Sequence, residues 1–164
     1  MLINQFEQEL TGGHPNSLGN TVAVVDQILK DKHKLQDLYD CYRSNDEVVR
    51  LRVSSAMKRV CKEHPEWVYQ HIDGLIADIA QIDQASTKWT LATLFSLLQE
   101  YMSAEQTKKA VAIMKHNLLT DDDWIVLNTT SEVLAHFAKT DENLAVWLTP
   151  QLNKLTKNKH KSVA

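Results

Sequence analysis

Seven histidines and two cysteines are the side chains of this 164-residue chain that first suggest a metal site or a nucleophile. None of the histidines forms a His-Glu-x-x-His motif, and the chain has no Cys-x-x-Cys pair. His64 and His71 are seven positions apart, but Pro65 breaks the helix between them. We therefore expect solvated or capping histidines, no metal site and no cofactor. The seven are His14, His33, His64, His71, His116, His136 and His160.

Motifs for covalent catalysis or phosphate binding are also missing from the sequence. There is no Gly-x-Ser-x-Gly, P-loop or Gly-x-Gly-x-x-Gly motif, and Gly12-Gly13 lies in a polar loop. The acidic triplet 121–123 precedes an apolar helical stripe, where we expect it to cap the helix; cation binding is the alternative. Cys41 and Cys61 fall inside helical patterns and are interpreted as small buried hydrophobes, with a disulfide or reactive pair as the alternative. The sequence predicts no catalytic residues, and hence no enzyme.

Composition narrows the class of protein. With 43% hydrophobic and 24% charged residues the chain is globular, and 4 Gly and 3 Pro are too few for a many-turned β-sandwich. A net charge of −3 disfavours a surface built wholly for nucleic acid. No stretch approaches the roughly 18 apolar residues of a membrane span, and the first residues resemble no signal peptide. We expect a cytoplasmic protein with no membrane segment.

Apolar residues from position 18 onward recur with helical spacing, and no long run alternates as a strand would. Residues 1–17 are interpreted as an N-terminal appendage and loop, and residues 18–164 as one domain whose last repeat is incomplete. Asp46, the Ser103–Gln106 capping box and Asp141 predict helix starts, and Ser86-Thr87 is expected to cap another helix. The sequence predicts about eight helices after the appendage.

Three of these helices repeat one apolar pattern. A shift of 77 positions (123 − 46) superimposes the helix that begins at Asp46 on the helix that begins at Asp123. A shift of 41 superimposes it on the helix between them. Together with Val163, the first pattern positions are 38 residues apart on average, because 114 positions span three intervals. Helix pairs that repeat with this period are typical of a solenoid. The pattern in the first helix is Val49, Val53, Ala56, Met57 and Val60.

Two segments carry a resemblance to a known family. The segment Asp46-Glu47-Val48-Val49-Arg50 resembles the turn aspartate and the Val-Arg opening of the second helix in a HEAT repeat. Residues 147–155, with Pro150 inside, resemble the first helix of the repeat with its kinking proline. The chain thus resembles HEAT-like repeat proteins of the armadillo-type α-helical superfamily over about residues 18–164. The resemblance implies an all-α fold, a short α-α superhelix of antiparallel helix pairs.

In HEAT-like arrays the second helices line the concave side, so the resemblance also implies where a partner docks. Aromatic, polar and charged side chains share the corresponding stripe, a mixture that suits a peptide or protein segment. The sequence therefore predicts a non-enzymatic protein-protein interaction module or scaffold, with an ordinary solvated face as the alternative. The candidate binding residues are Arg52, Ser55, Arg59, Trp89, Thr93, Ser96, Glu100, Thr129, Glu132 and His136.

A rival function follows from the local basicity of the helix that begins at Asp46. HEAT-like DNA glycosylases use a basic concave surface, so a DNA alkylation-repair glycosylase is the alternative, together with a HEAT-like lyase or chaperone. Glu100 and Glu132 are expected to face the same groove and to repel phosphates, so nucleic acid is a disfavoured partner.

The repeat register also predicts the core and one end of the array. Almost complete burial is expected for Leu94, Leu98, Val133, Leu134 and Phe137. A further second helix is expected to begin near His160, where few residues remain. The last predicted full helix would then be covered from one side only, which predicts a homodimer through this open C-terminal end. Its apolar stripe is Leu144, Leu148, Leu152 and Leu155.

Overall fold

The computed structural model describes residues 2–14 and 17–158, and within them the chain forms ten α-helices and no strand. The segment that begins at Pro65 forms two short helices, α5 and α6, and the N-terminal segment contributes α1. The all-α prediction is confirmed, and no helix of this described part is long and apolar enough to cross a membrane. The helices are α1 (Gln5–Leu10), α2 (Thr21–Lys30), α3 (Leu35–Asp40), α4 (Glu47–Glu63), α5 (Pro65–Tyr69), α6 (Ile72–Ala77), α7 (Ala85–Leu97), α8 (Ala104–Thr120), α9 (Trp124–Ala138) and α10 (Glu142–Asn158).

Side chains that cap free backbone N–H groups set several helix starts. The carboxylate of Asp46 accepts a hydrogen bond from the Val48 amide at 2.9 Å. Ser103 and Gln106 form a reciprocal capping box at the start of α8. Asp123, the last member of the acidic triplet, caps α9. These predicted starts are confirmed because each depends on residues that are close in sequence.

Helix α7 differs from the prediction at both ends. Its N-cap residue is Gln84, and Ser86 and Thr87 are buried inside the helix. The side chain of Gln84 contacts α4, where its Oε1 accepts from Arg50 Nε at 2.7 Å. The helix ends at Leu97, four positions before Tyr101, which the shift of 41 equates with buried Val60. Tyr101 is 42% exposed and lies outside the apolar stripe. Contact with the preceding repeat therefore decides where α7 begins.

The helices form two layers. Helices α2, α4, α7 and α9 pack side by side in that order, and α3, α5, α8 and α10 pack against this layer. The five side chains predicted for the core are at most 8% exposed, which confirms the register along α7 and α9. Within the second layer, Tyr39 of α3 lies over Gly74 of α6, where an added Cβ would collide with the Tyr39 hydroxyl.

The segment predicted as an appendage packs against the rest of the domain. Phe6 and Leu10 of α1 are 5% and 0% exposed, and they belong to the same core as α2 to α4. Asn4 caps α1 and donates through Nδ2 to the Asp37 carbonyl of α3 at 2.8 Å. Helix α1 thus packs on α4 next to α3, in the layer that α3, α5, α8 and α10 form.

Helix α10 is better covered at its start than predicted. Leu144 and Leu148 are 2% and 3% exposed, since α10 packs along α9. Leu152 and Leu155, further along, are only half-buried. The second helix predicted from His160 lies outside the described residues. Dimerisation through this end stays a prediction.

Candidate binding surface on the second helices

The predicted binding residues lie on three helices that are neighbours in the first layer. Arg59, the two glutamates and His136 are exposed, and the uncharged members are half-buried. Arg52 is the exception, with 1% exposure. The set is Arg52, Ser55 and Arg59 on α4, Trp89, Thr93 and Ser96 on α7 with Glu100 in the turn after it, and Thr129, Glu132 and His136 on α9.

Arg52 is not available to a partner, contrary to the prediction. Its guanidinium donates to the backbone carbonyls of Leu10 at 2.8 Å, His14 at 3.0 Å and Ser17 at 3.2 Å, and also to Gly12. The loop between α1 and α2 therefore folds over this position. The planar fork of five N–H donors suits a ring of carbonyls around one cation.

Glycines let this loop approach the guanidinium closely. Gly19 has a φ of +54°, and a Cβ there would lie 3.0 Å from Arg52 Cζ. Gly13 has a φ of +73°, a left-handed conformation that side chains with a Cβ rarely adopt. The positive φ angles of Gly12 and Gly13 thus let the loop bend around Arg52. The described residues of this loop are exposed to solvent, which fits their polar composition.

A groove of about 420 Å³ runs between α2 and α4 and includes two predicted residues, Ser55 and Arg59. Its α2 wall is largely apolar, whereas its α4 wall is largely cationic. Three lysine and arginine side chains face two carboxylates, so the lining carries a net charge of +1. The remaining lining residues are Val22, Val25, Asp26, Leu29, Lys58, Lys62 and Glu63.

The cations of this groove repel one another. Burial, together with the charges of Lys62 and Arg59, lowers the pKa of Lys58. Among the described residues none of these three cations forms an ion pair. A ligand carboxylate beside them would relieve this repulsion, so the α4 wall favours an acidic group.

The repeated helix pairs and the layered packing are matched by one protein family. The model of the HEAT repeat domain matches residues 7–107, which is more than half of the chain. The chain belongs to the HEAT repeat domain family. Comparison with the curated proteins and with the solved structures gives no significant match.

The family match begins inside α1, so the HEAT repeat domain includes part of the segment predicted as an appendage. It ends at the start of α8, although α8 and α9 continue the same two-layer packing. The groove between α2 and α4 lies within the matched residues. The predicted site missed the α2 wall because the repeat comparison used only α4, α7 and α9.

One lysine ties two consecutive repeats of the HEAT domain together. Lys88 Nζ donates to Asp83 Oδ1 and to Asp121 Oδ2, both at 2.8 Å. Burial opposes the charged form of each partner, but these hydrogen bonds outweigh it. They raise the pKa of Lys88 and lower the pKa of Asp121. Asp121 thus has a structural role between repeats, separate from the helix cap that Asp123 provides.

Two histidines of the HEAT domain stack on aromatic side chains. His64 stacks on Trp67 with ring centroids 3.8 Å apart, and His71 stacks on Tyr39 at 4.3 Å. Burial lowers the pKa of His71 against the opposing charge of Asp40. The described residues contain no group of three metal-ligating side chains.

Both cysteines are free and buried, as interpreted from the sequence. Burial raises the pKa of the Cys41 and Cys61 thiols to about 12. Cys41 also donates to Asn4 Oδ1 at 3.2 Å. Because the thiolate is the reactive form, these side chains act as packing residues.

Proposed function

We propose that this HEAT repeat domain is a non-enzymatic interaction module that binds a peptide or protein segment in the groove between α2 and α4. HEAT repeat domains commonly mediate protein interactions, and this groove contains the predicted site residues Ser55 and Arg59. Its cations form no ion pair within the described part of the chain. The apolar α2 wall suits an apolar anchor of the ligand, and the α4 wall suits acidic residues beside it. The partner we propose is therefore an acidic segment with an apolar anchor.

The intramolecular contact at Arg52 supports this proposal. On the same helix, one side chain binds four backbone carbonyls, one from the last residue of α1 and three from the loop after it. Helix α4 thus already holds a non-helical segment through main-chain acceptors. Ser55 and Arg59, three and seven positions further along α4, offer donors to a ligand in the adjoining groove.

Selection from a displayed random-peptide library tests the proposal. Enriched peptides should carry acidic residues next to an aliphatic or aromatic residue. Their affinity should fall at least tenfold with Arg59→Glu, which places a carboxylate in the groove. The matched control is Lys109→Glu, a charge reversal at an exposed site on α8, and it should bind as the parent does. An absence of enrichment, or equal affinity for Arg59→Glu, would refute this groove as the site.

A DNA alkylation-repair glycosylase is the rival function, and a HEAT-like lyase or chaperone is a further alternative. The cations of α4 favour phosphates, whereas Glu100 after α7 and Glu132 on α9 are exposed acids. We therefore expect little affinity for duplex DNA at physiological salt. Tight, salt-sensitive binding of duplex DNA, or release of an alkylated base, would replace the interaction module by the enzyme.

Self-association through α10 and a cytoplasmic location complete the proposal. Leu152 and Leu155 are half-buried, and Val146 is 75% exposed on the same helix. We expect a dimer at micromolar concentration, measured by light scattering after gel filtration, that Leu152→Glu disrupts. A monomeric parent at high concentration would contradict it. The cytoplasm is proposed because the two buried thiols are unpaired.

A further inference from the structure

Three cations and a hydroxyl share one face of α4 in the groove between α2 and α4. Lys58, Arg59 and Lys62 follow Ser55 at helical spacing, so the four side chains lie on one side of the helix. All four line the groove. Its α4 wall is therefore a compact cationic surface with one hydroxyl donor.

Lys58 is the unusual member of this cluster. It is half-buried, and within the described part of the chain it has no ion-pair partner. Lys88, which is half-buried too, is held by two carboxylates at 2.8 Å each. Withdrawing a charge from water without a partner costs free energy. The unpaired Lys58 thus destabilises the free protein and points to an anionic ligand.

The carboxylates of the groove do not fill this role. Asp26 on α2 and Glu63 at the end of α4 also line it, but both are exposed and neither pairs with the cations. The charges that act on Lys58 are those of Lys62 and Arg59, which with burial lower its pKa. The potential beside Lys58 is therefore positive, although two carboxylates lie in the same groove.

The number of cations favours a phosphate monoester over a single carboxylate. A carboxylate has one charge and two oxygens, whereas a phosphate monoester at pH 7 has nearly two charges and three acceptor oxygens. Since Lys62 and Arg59 act electrostatically on Lys58, the three charged groups are close enough to share one ligand. The guanidinium can bind a phosphate through two parallel hydrogen bonds, and the Ser55 hydroxyl adds a donor.

We propose that this α4 wall binds a phosphorylated serine or threonine of a partner segment, with an apolar neighbour of that residue on the α2 wall. The inference rests on the proposed function and specifies the acidic group that the groove takes. Val22 is 46% exposed and Leu29 is half-buried, so both offer apolar contact. The groove measures about 420 Å³, so the phosphate and the apolar anchor belong to one short segment.

Fluorescence anisotropy with a set of labelled peptides tests the choice of anion. Each alanine–glycine peptide has one leucine at one to four positions from a central phosphoserine, glutamate or serine. The best phosphoserine peptide should bind about tenfold more tightly than its glutamate counterpart, as one additional charge-assisted hydrogen bond predicts. The serine peptide should bind more weakly than both.

Substitutions on the two walls separate the phosphate contact from the apolar contact. Lys58→Met and Lys62→Met should each weaken the phosphoserine peptide about tenfold and leave the serine peptide unchanged. Val22→Ser should weaken all three peptides by the same factor, because it removes only the apolar contact. Lys109→Met, at an exposed position of α8, is the matched control and should bind as the parent does.

Thermal unfolding supplies a second, independent readout. Without peptide, Lys58→Met should raise the melting temperature by about 1–2 °C, because it removes a half-buried cation that two like charges repel. Saturating phosphoserine peptide should raise the melting temperature of the parent more than that of this variant. A lower melting temperature of peptide-free Lys58→Met would overturn the inference, because Lys58 would then serve the fold itself.

The outcomes distinguish this inference from the proposed function on which it rests. Equal affinity for the phosphoserine and glutamate peptides would overturn the phosphate site and leave a groove for acidic segments. Binding of none of the peptides would overturn both. Tighter binding to phosphatidylserine vesicles than to the phosphoserine peptide would replace the peptide by a membrane surface and likewise overturn the inference.

Discussion

Replacing Arg52 by methionine tests whether one buried side chain holds the N-terminal helix and loop to the repeats. Methionine keeps an apolar stem of similar length but removes the guanidinium and its hydrogen bonds. The acceptors belong to residues 10–17, which are 35 to 42 positions away in sequence. The substitution thus separates a tertiary contact from the helical propensity of α4.

The expected loss of stability follows from the surroundings of the acceptors. Hydrogen bonds from a charged donor are worth about 1.5–3 kcal/mol each. The loop carbonyls of Gly12, His14 and Ser17 belong to exposed residues and would regain water, whereas Leu10 is fully buried. Removing a buried charge also offsets part of the loss. We therefore expect Arg52→Met to lower the free energy of unfolding by about 2–4 kcal/mol.

Urea unfolding followed by circular dichroism measures this loss, and amide hydrogen exchange locates it. Protection should fall most in α1 and around residues 11–20, because these segments lose their anchor. Arg52→Lys should also be destabilised, since one ammonium group cannot reach four carbonyls. Arg59→Met, at an exposed position of the same helix, is the control and should stay within about 0.5 kcal/mol of the parent. An Arg52→Met variant as stable as Arg59→Met would refute the anchoring role.

Three further substitutions test the core and the contact between repeats. Phe137→Ala should lower the free energy of unfolding, measured in urea, by about 3–5 kcal/mol, because Phe137 is only 3% exposed. A loss below about 1 kcal/mol would contradict the packing of α9. Thr130→Val should raise the free energy of unfolding by about 1 kcal/mol, because the buried Thr130 hydroxyl has no partner among the described residues. Thr129→Val, at a half-buried position, is the control, and an equal gain in both variants would contradict this prediction. Because folding lowers the pKa of Asp121, its carboxylate stabilises the folded protein above the unfolded pKa of about 3.9. This stabilisation is lost as the pH falls through the pKa of Asp121 in the folded protein. Asp121→Asn should therefore be less stable than the parent at pH 7 and converge with it in acid; equal stability at pH 7 would remove Lys88–Asp121 as a tie between repeats.

Most of the secondary structure and the centre of the core follow from local sequence. Capping by Asp46 and Asp123 involves residues two or three positions away, so the pattern alone predicts it. Leu98 and Phe137 are buried where the repeat register places them. The start of α7 escapes this reasoning because Gln84, its N-cap residue, contacts α4 of the preceding repeat.

The binding surface depends more on segments that are distant in sequence. Helical spacing places Arg52 and Arg59 on one side of α4, but the spacing does not show that the loop after α1 covers Arg52 and leaves Arg59 exposed. The sequence by itself determines which residues are helical and which face inward, because those features depend on neighbours within one or two turns. The tertiary structure decides which polar side chains remain accessible or unpaired, because their partners come from segments brought together only by folding.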